Sequence, residues 1–224
     1  MEVDQSVPNI SNIHSIMFEV VNELKCPPLK EHQIRTIVSL AQRQNQVNQL
    51  PTGAGKTLPI VILPYILDGL RNHYQYDISE ETRVLYIVPL VNIYQTLVLE
   101  MERLDIPFQV MSAGGDSNID SKAKVVYVSP ERILNKKVMR SILKHSWNCI
   151  SIDEPHLAIS WGLSNSKKRK PFREAFAKLS NLNSLSTVFE MHSATISNVD
   201  QQLSLLAGKI VDGTSNLSSQ KGKI

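Results

Sequence analysis

Apolar positions Ile13, Ile16, Met17, Val20, Val21 and Leu24 recur at steps of three and four, the spacing of one helix face. This predicts a helix over residues 10–24, with Ser11 or Asn12 as its cap. Cys26-Pro27-Pro28 breaks the chain, because each proline lacks an amide donor and restricts its predecessor. A second helix is predicted over 30–43, with Ile34, Ile37, Val38, Leu40 and Ala41 on its apolar side. Residues 46–50 are too polar to be called a strand by composition and are read as one from their place before a glycine turn. The apolar run from 57 to about 70 fits a helix that Pro64 must kink or end, and a polar, mobile loop is expected over 72–82. Residues 83–88 are a continuous β-rich run closed by Pro89, and a helical pattern over 91–104 follows, the signature of a buried parallel strand and its crossover helix. The unit repeats: strands are expected at 108–111, 124–128, 147–152 and 186–191, and helices at 131–145, 171–179 and 199–206. Such alternation predicts an α/β fold in a single lobe, a parallel sheet with helices on both faces, whose ligands bind beyond the carboxyl ends of the strands.

Composition narrows this only a little. A chain of 224 residues, 42% hydrophobic, can bury one good core. The net charge of +3 is compatible with a nucleic-acid partner without requiring one. The two cysteines, Cys26 and Cys149, have no metal-binding spacing, which favours a reducing compartment over a disulfide framework. Residues 1–10 carry Glu2 and Asp4 and no apolar core of a secretory signal, and the longest apolar stretch, 58–67, is too short to span a bilayer. A soluble intracellular protein is expected.

Chemistry enters at Gln49-Leu50-Pro51-Thr52-Gly53-Ala54-Gly55-Lys56-Thr57-Leu58, a glycine turn between a strand and an apolar helix. Gly53 and Gly55 let the backbone approach phosphate oxygens, Lys56 adds a charge for the terminal phosphates, and Thr57 offers a hydroxyl to Mg²⁺. The strict G-x-x-x-x-G-K-[ST] spacing is not met, since Leu50 stands where its first glycine should be. Downstream, 149–152 is an apolar strand that delivers Asp153 and Glu154 to its end. Asp153 suits a magnesium ion, which needs one or two carboxylates besides phosphate oxygens, and Glu154 suits the base that orients and deprotonates an attacking water. Alone, the pair would read as an acidic helix start; with a phosphate loop upstream, the catalytic reading is preferred.

The form Pro51-Thr52-Gly53-Ala54-Gly55-Lys56-Thr57 resembles the phosphate loop of superfamily-two helicases. Asp153-Glu154-Pro155-His156 resembles their D-E-x-H box, Ser193-Ala194-Thr195 their S-A-T motif, and Gln33 the glutamine that reads adenine in those enzymes. Within that superfamily the sequence resembles the RecQ family in three stretches: Leu29-Lys30-Glu31-His32-Gln33, Val126-Tyr127-Val128-Ser129-Pro130-Glu131-Arg132 and Ile159-Ser160-Trp161-Gly162. The resemblance implies a RecA-like domain over 25–212, after a helical lead-in over 1–24, and a disordered tail over 213–224. It implies ATP and Mg²⁺ as cofactors. Gln33, Thr52, Gly53, Ala54, Gly55, Lys56 and Thr57 would bind nucleotide and Thr57 and Asp153 the metal, with Lys56, Asp153, Glu154 and His156 in catalysis. Pro89, Ser129, Pro130, Arg132 and Trp161 would meet nucleic acid, single-stranded or partly duplex DNA, with RNA as an alternative. Ser193, Ala194 and Thr195 would couple hydrolysis to movement. A nuclear location is implied, or a cytoplasmic one in a prokaryote.

The sequence departs from the family where Leu29 and Lys30 replace Phe and Arg and where Leu163-Ser164-Asn165-Ser166 replaces a His-Asp-Phe-Arg run. Trp161 is either a stacking platform for a base, worth ~1–3 kcal/mol, or a core-covering side chain. Lys167-Lys168-Arg169-Lys170 is either a phosphate-neutralising loop, a solvated one or a nuclear-import signal. Little more than one helix and a tail follows Thr195, so no second helicase lobe, zinc module or winged helix is expected within these residues. The 224 residues are therefore expected to bind ATP, to hydrolyse it slowly and not to unwind a duplex. A nucleotide-regulated binding module without turnover is the reading from outside the enzymes.

Overall fold

The computed structural model describes residues 6–88, 93–112, 114–154, 182, 185, 187–193 and 218–221. Helix α1 spans Ile10–Glu23 and buries Ile13, Ile16, Met17 and Val20, the stripe its spacing predicts. Its cap is Asn9 rather than Ser11 or Asn12: Asn9 is extended, and its side-chain oxygen accepts from Asn12 N at 2.8 Å. Helix α2, Glu31–Ala41, ends sooner than expected, and Arg43 just beyond it takes a φ of 58°. Strand β1, Gln46–Gln49, leads through the glycine turn into α3, Thr57–Tyr74.

Helix α3 neither stops at Pro64 nor yields to a loop at Asn72. Burial on nearly all sides holds it together, with Ile60, Val61, Ile62 and Ile66 fully buried, and this outweighs the backbone hydrogen bond that Pro64 cannot make. It ends at Gln75, in the left-handed conformation.

The remaining strands are β2 (Val84–Ile87), β3 (Phe108–Met111), β4 (Val125–Val128), β5 (Cys149–Asp153), β6 (Val188–Ser193) and β7 (Ser218–Lys221). All seven run parallel in the order β3-β4-β2-β5-β6-β1-β7. Alternate residues supply two separate cores, as a sheet covered on both faces requires. Val84, Tyr86, Val125, Tyr127, Cys149 and Val188 pack under α1, α2, α3 and α4 (Ile93–Arg103). Leu85, Ile87, Val126, Val128, Ile150, Ile152, Phe189 and Met191 pack against α5 (Pro130–Ile133) and α6 (Lys136–Lys144). The single helix expected over 131–145 is thus two, divided where the Asn135 side chain accepts from Lys137 N and Val138 N and starts α6 afresh.

The tail expected to be disordered contains β7, which pairs with β1 from Gln46↔Ser218 to Gln49↔Lys221. Without it β1 would leave one row of backbone donors and acceptors unpaired, and the pairing satisfies them. The helices expected at 171–179 and 199–206 lie outside the described residues.

Candidate functional site

Because β6 lies between β1 and β5, three carboxyl ends meet: the glycine turn after β1, Ser193 at the end of β6, and Asp153-Glu154 at the end of β5. The turn is tied to β6 by Leu50 N donating to Ser193 O at 3.0 Å. Gly53 and Gly55 have φ of 78° and 79°, a region that side chains disfavour, and a Cβ on Gly53 would project into open space. Thr52 and Gly53 are exposed and Ala54 is buried.

Helix α2 grips this loop from behind. Gln33 Nε2 donates to Gly55 O at 2.8 Å, Gln33 Oε1 accepts from Lys30 N at 2.8 Å, and His32 Nε2 donates to Ala54 O at 3.0 Å. Both ends of the Gln33 amide are thereby engaged within the chain, and the side chain is buried.

Lys56 Nζ stands 3.0 Å from Glu154 Oε1, and Ser193 Oγ donates to Glu154 Oε2 at 2.7 Å. Glu154 has a φ of 45°, an uncommon conformation for this residue, pinned by its N donating to His192 O at 2.9 Å. A phosphate-loop lysine, an acidic-box glutamate and an S-A-T serine thus form one chain of contacts, although 98 positions separate the first two.

Behind them lies a buried polar network that sequence inspection missed. On the α3 side of the sheet, His192 Nδ1 donates to the Glu190 carboxylate at 2.9 and 3.0 Å, and Nε2 lies 2.9 Å from Tyr86 Oη and 3.1 Å from Asp153 Oδ1. Glu190 also accepts from Ser151 Oγ at 2.6 Å and Asn48 Nδ2 at 3.0 Å. Burial opposes a charge on His192, but Glu190 in contact and Asp153 beside it more than offset that and raise its pKa to about 10. The signal in the sequence was Glu190 and His192 at alternate positions of a strand with Val188, Phe189 and Met191: two ionisable groups on one face of a buried strand must be partnered.

Among the described residues Asp153 Oδ1 is buried and accepts no hydrogen bond, although His192 Nε2 lies 3.1 Å away. A buried carboxylate oxygen that accepts no hydrogen bond suits a hard cation, and Asp153 with Thr57 would hold Mg²⁺, nucleotide phosphates completing its shell. Among the described residues no group of three or more His, Cys, Asp or Glu side chains is disposed to hold a metal by itself.

Ser129 caps α5, its hydroxyl accepting from Arg132 N at 3.3 Å, with Pro130 in the first turn. Arg132 Nη2 donates to Gly115 O at 2.7 Å, bracing the loop after β3. Pro89, His156, Trp161, Ala194, Thr195 and the basic run at 167–170 lie outside the described residues. Among the described residues no helix is long and apolar enough to cross a membrane.

Residues 30–202 match the profile of the DEAD/DEAH box helicase family. The chain is similar to the ATP-dependent DNA helicase Q1 of Rattus norvegicus, 22% identical over 174 residues, which is 70% of this chain and 25% of that protein. It is also similar to that of Mus musculus, 23% identical over 174 residues, or 70% of this chain and 24% of that protein. The chain therefore spans about a quarter of the length of these relatives. Among solved structures, a hypothetical ATP-dependent RNA helicase from Sulfolobus tokodaii superimposes with a TM-score of 0.60 at 19% identity, over 94% of this chain and 57% of that one. The DUF1998 helicase MrfA bound to DNA does so with a TM-score of 0.60 at 16% identity, over 98% of this chain and 30% of that one. At such identities these likenesses establish the fold, a RecA-like parallel sheet.

Proposed function

Since this chain belongs to the DEAD/DEAH box helicase family, we propose that it is the ATP-binding lobe of a RecQ-like DNA helicase, holding Mg·ATP beyond the ends of β1, β6 and β5. The observation that carries this reading is the contact chain Lys56–Glu154–Ser193. Lys56 leaves Glu154 for the β and γ phosphates when nucleotide enters, and the exposed turn at Thr52 and Gly53 approaches the same phosphates. Ser193 keeps Glu154 in place, with Oε1 turned to the space that Lys56 leaves, where it accepts a proton from the attacking water. Mg²⁺, when bound, neutralises charge on the phosphates. Gln33 reaches adenine by exchanging one of its two internal partners, so adenine selection and loop position are linked.

Ser129, Pro130 and Arg132 lie at the end of β4, on the sheet edge that carries the nucleotide site, and with Pro89 and Trp161 they form our proposed DNA path. His156 completes the acidic box, and Ala194 and Thr195 carry the state of Ser193 onward to that path. RNA in place of DNA is the second reading, because such contacts address phosphates.

Titration of a fluorescent ATP analogue tests the site: Lys56→Ala should weaken binding at least about tenfold, the loss of one charge-assisted contact. Unchanged binding would refute the assignment. Hydrolysis stimulated by single-stranded DNA, compared with RNA, in a protein that also carries a second lobe, decides the substrate.

A further inference from the structure

Resting on the metal reading of Asp153, we propose that Tyr86 and His192, backed by Glu190, are positioning residues that hold its carboxylate in place. The strand register brings the network together: Asp153 pairs with His192, Tyr86 with Ser151, Ser151 with Glu190 and Asn48 with His192, all on the α3 side of the sheet. Tyr86, His192 and Glu190 are each 1% exposed. Glu190 receives Asn48, Ser151 and His192, which fixes the imidazole ring. The other side of that ring lies against both Tyr86 and Asp153, with Nε2 2.9 Å from Tyr86 Oη and 3.1 Å from Asp153 Oδ1. The network therefore ends on the carboxylate that would meet the cation.

Packing alone does not explain it, because apolar side chains at these strand positions would fill the same space with no charge to desolvate. Magnesium demands near-octahedral geometry, so a ligand free to shift costs affinity, and loss of a side chain that orients a ligand commonly weakens a metal site ~10–100-fold. His192 sets the place of the Asp153 carboxylate, and Tyr86 holds the imidazole that does so. Neither touches phosphate.

The experiment uses the full chain with ADP as the probe, titrated in excess chelator and in Mg²⁺, together with Mn²⁺ binding to the ADP complex followed by electron paramagnetic resonance. Tyr86→Phe and His192→Leu should each weaken Mn²⁺ binding by about tenfold or more while metal-free ADP affinity stays within about twofold. If metal-free and metal-dependent binding fall together, the residues are merely structural and the proposal is overturned. Unchanged Mn²⁺ affinity in Tyr86→Phe overturns it as well, while leaving the nucleotide site standing. If His192→Leu does not fold, Tyr86→Phe decides alone, since it removes one oxygen and keeps the ring. Failure of the parent chain to bind ADP under either condition sinks the nucleotide reading and this proposal together.

Discussion

Residues in this protein are constrained by what lies one contact away. A Cβ added to Gly55 would stand 2.7 Å from Gln33 Nε2, in a backbone conformation that side chains avoid. Gly55→Ala should therefore displace the Gln33 amide and weaken ATP binding about tenfold or more, and the loss should be larger for ATP than for inorganic triphosphate if Gln33 also reads the base. Competition titration with both ligands checks it. Cys149 is fully buried, and burial foremost, then the charge of Glu190, pushes its thiol well above the ordinary range. The folded state thus keeps a proton that the unfolded state releases above about pH 8.5, so the thiol costs no stability below that pH, and stability declines as pH rises beyond it. In the native protein at pH 8, a thiol reagent should modify half-buried Cys26 slowly and Cys149 only at the rate of unfolding. Prompt modification of both would contradict the burial.

Elements meet at distances set by their smallest residues. Gly69 lies within α3 where α1 crosses it, and a Cβ there would stand 2.5 Å from Cγ2 of Ile16, a side chain 1% exposed and unable to move aside. Gly69→Ala should destabilise the fold by roughly 1–3 kcal/mol, even though alanine is the better helix former. Denaturant unfolding would register this, and on an Ile16→Ala background the penalty should shrink or reverse. Stabilisation by Gly69→Ala alone would mean that the two helices are not held so closely. The polar strand β1 is explained at the same scale: Gln46 Nε2 donates to Thr36 O at 2.9 Å and Asn48 reaches Glu190. The Gln46 amide nitrogen and Asn48 are thus matched to α2 and β6, while Gln46 Oε1 is buried with no hydrogen-bond partner among the described residues.

For the whole molecule, the ordering of strand ends brings lysine, glutamate and serine together, but charge that develops on a transferred phosphoryl also calls for an arginine. In related NTPases such a finger is worth ~10³–10⁵ in rate, about 4–7 kcal/mol. Among the described arginines near the strand ends, Arg132 is engaged with the Gly115 carbonyl rather than directed at the turn. We expect these 224 residues to bind ATP, to hydrolyse it very slowly and not to unwind a duplex, and we expect a second lobe to restore both activities. Phosphate release and strand-separation assays check this. Unwinding by the 224 residues alone, lost on Glu154→Gln, would show that no external arginine is needed.

Sequence patterning determined the α/β class and most of the alternation, because buried parallel strands are continuous apolar runs and their helices keep a three-to-four period; both are local properties. It also placed the glycine turn and the acidic pair at strand ends. It did not reveal which ends are neighbours. That β6 inserts between β1 and β5, putting Ser193 on Glu154, follows from backbone pairing across large separations and has no local trace. Packing around α3 overrode Pro64, and pairing with β1 drew β7 from a tail whose composition reads as disordered. The Glu190–His192 network was half visible, as two ionisable residues on one face of a buried strand. Their partners, Asn48, Tyr86, Ser151 and Asp153, lie on three other strands, and only the register of the sheet could select them.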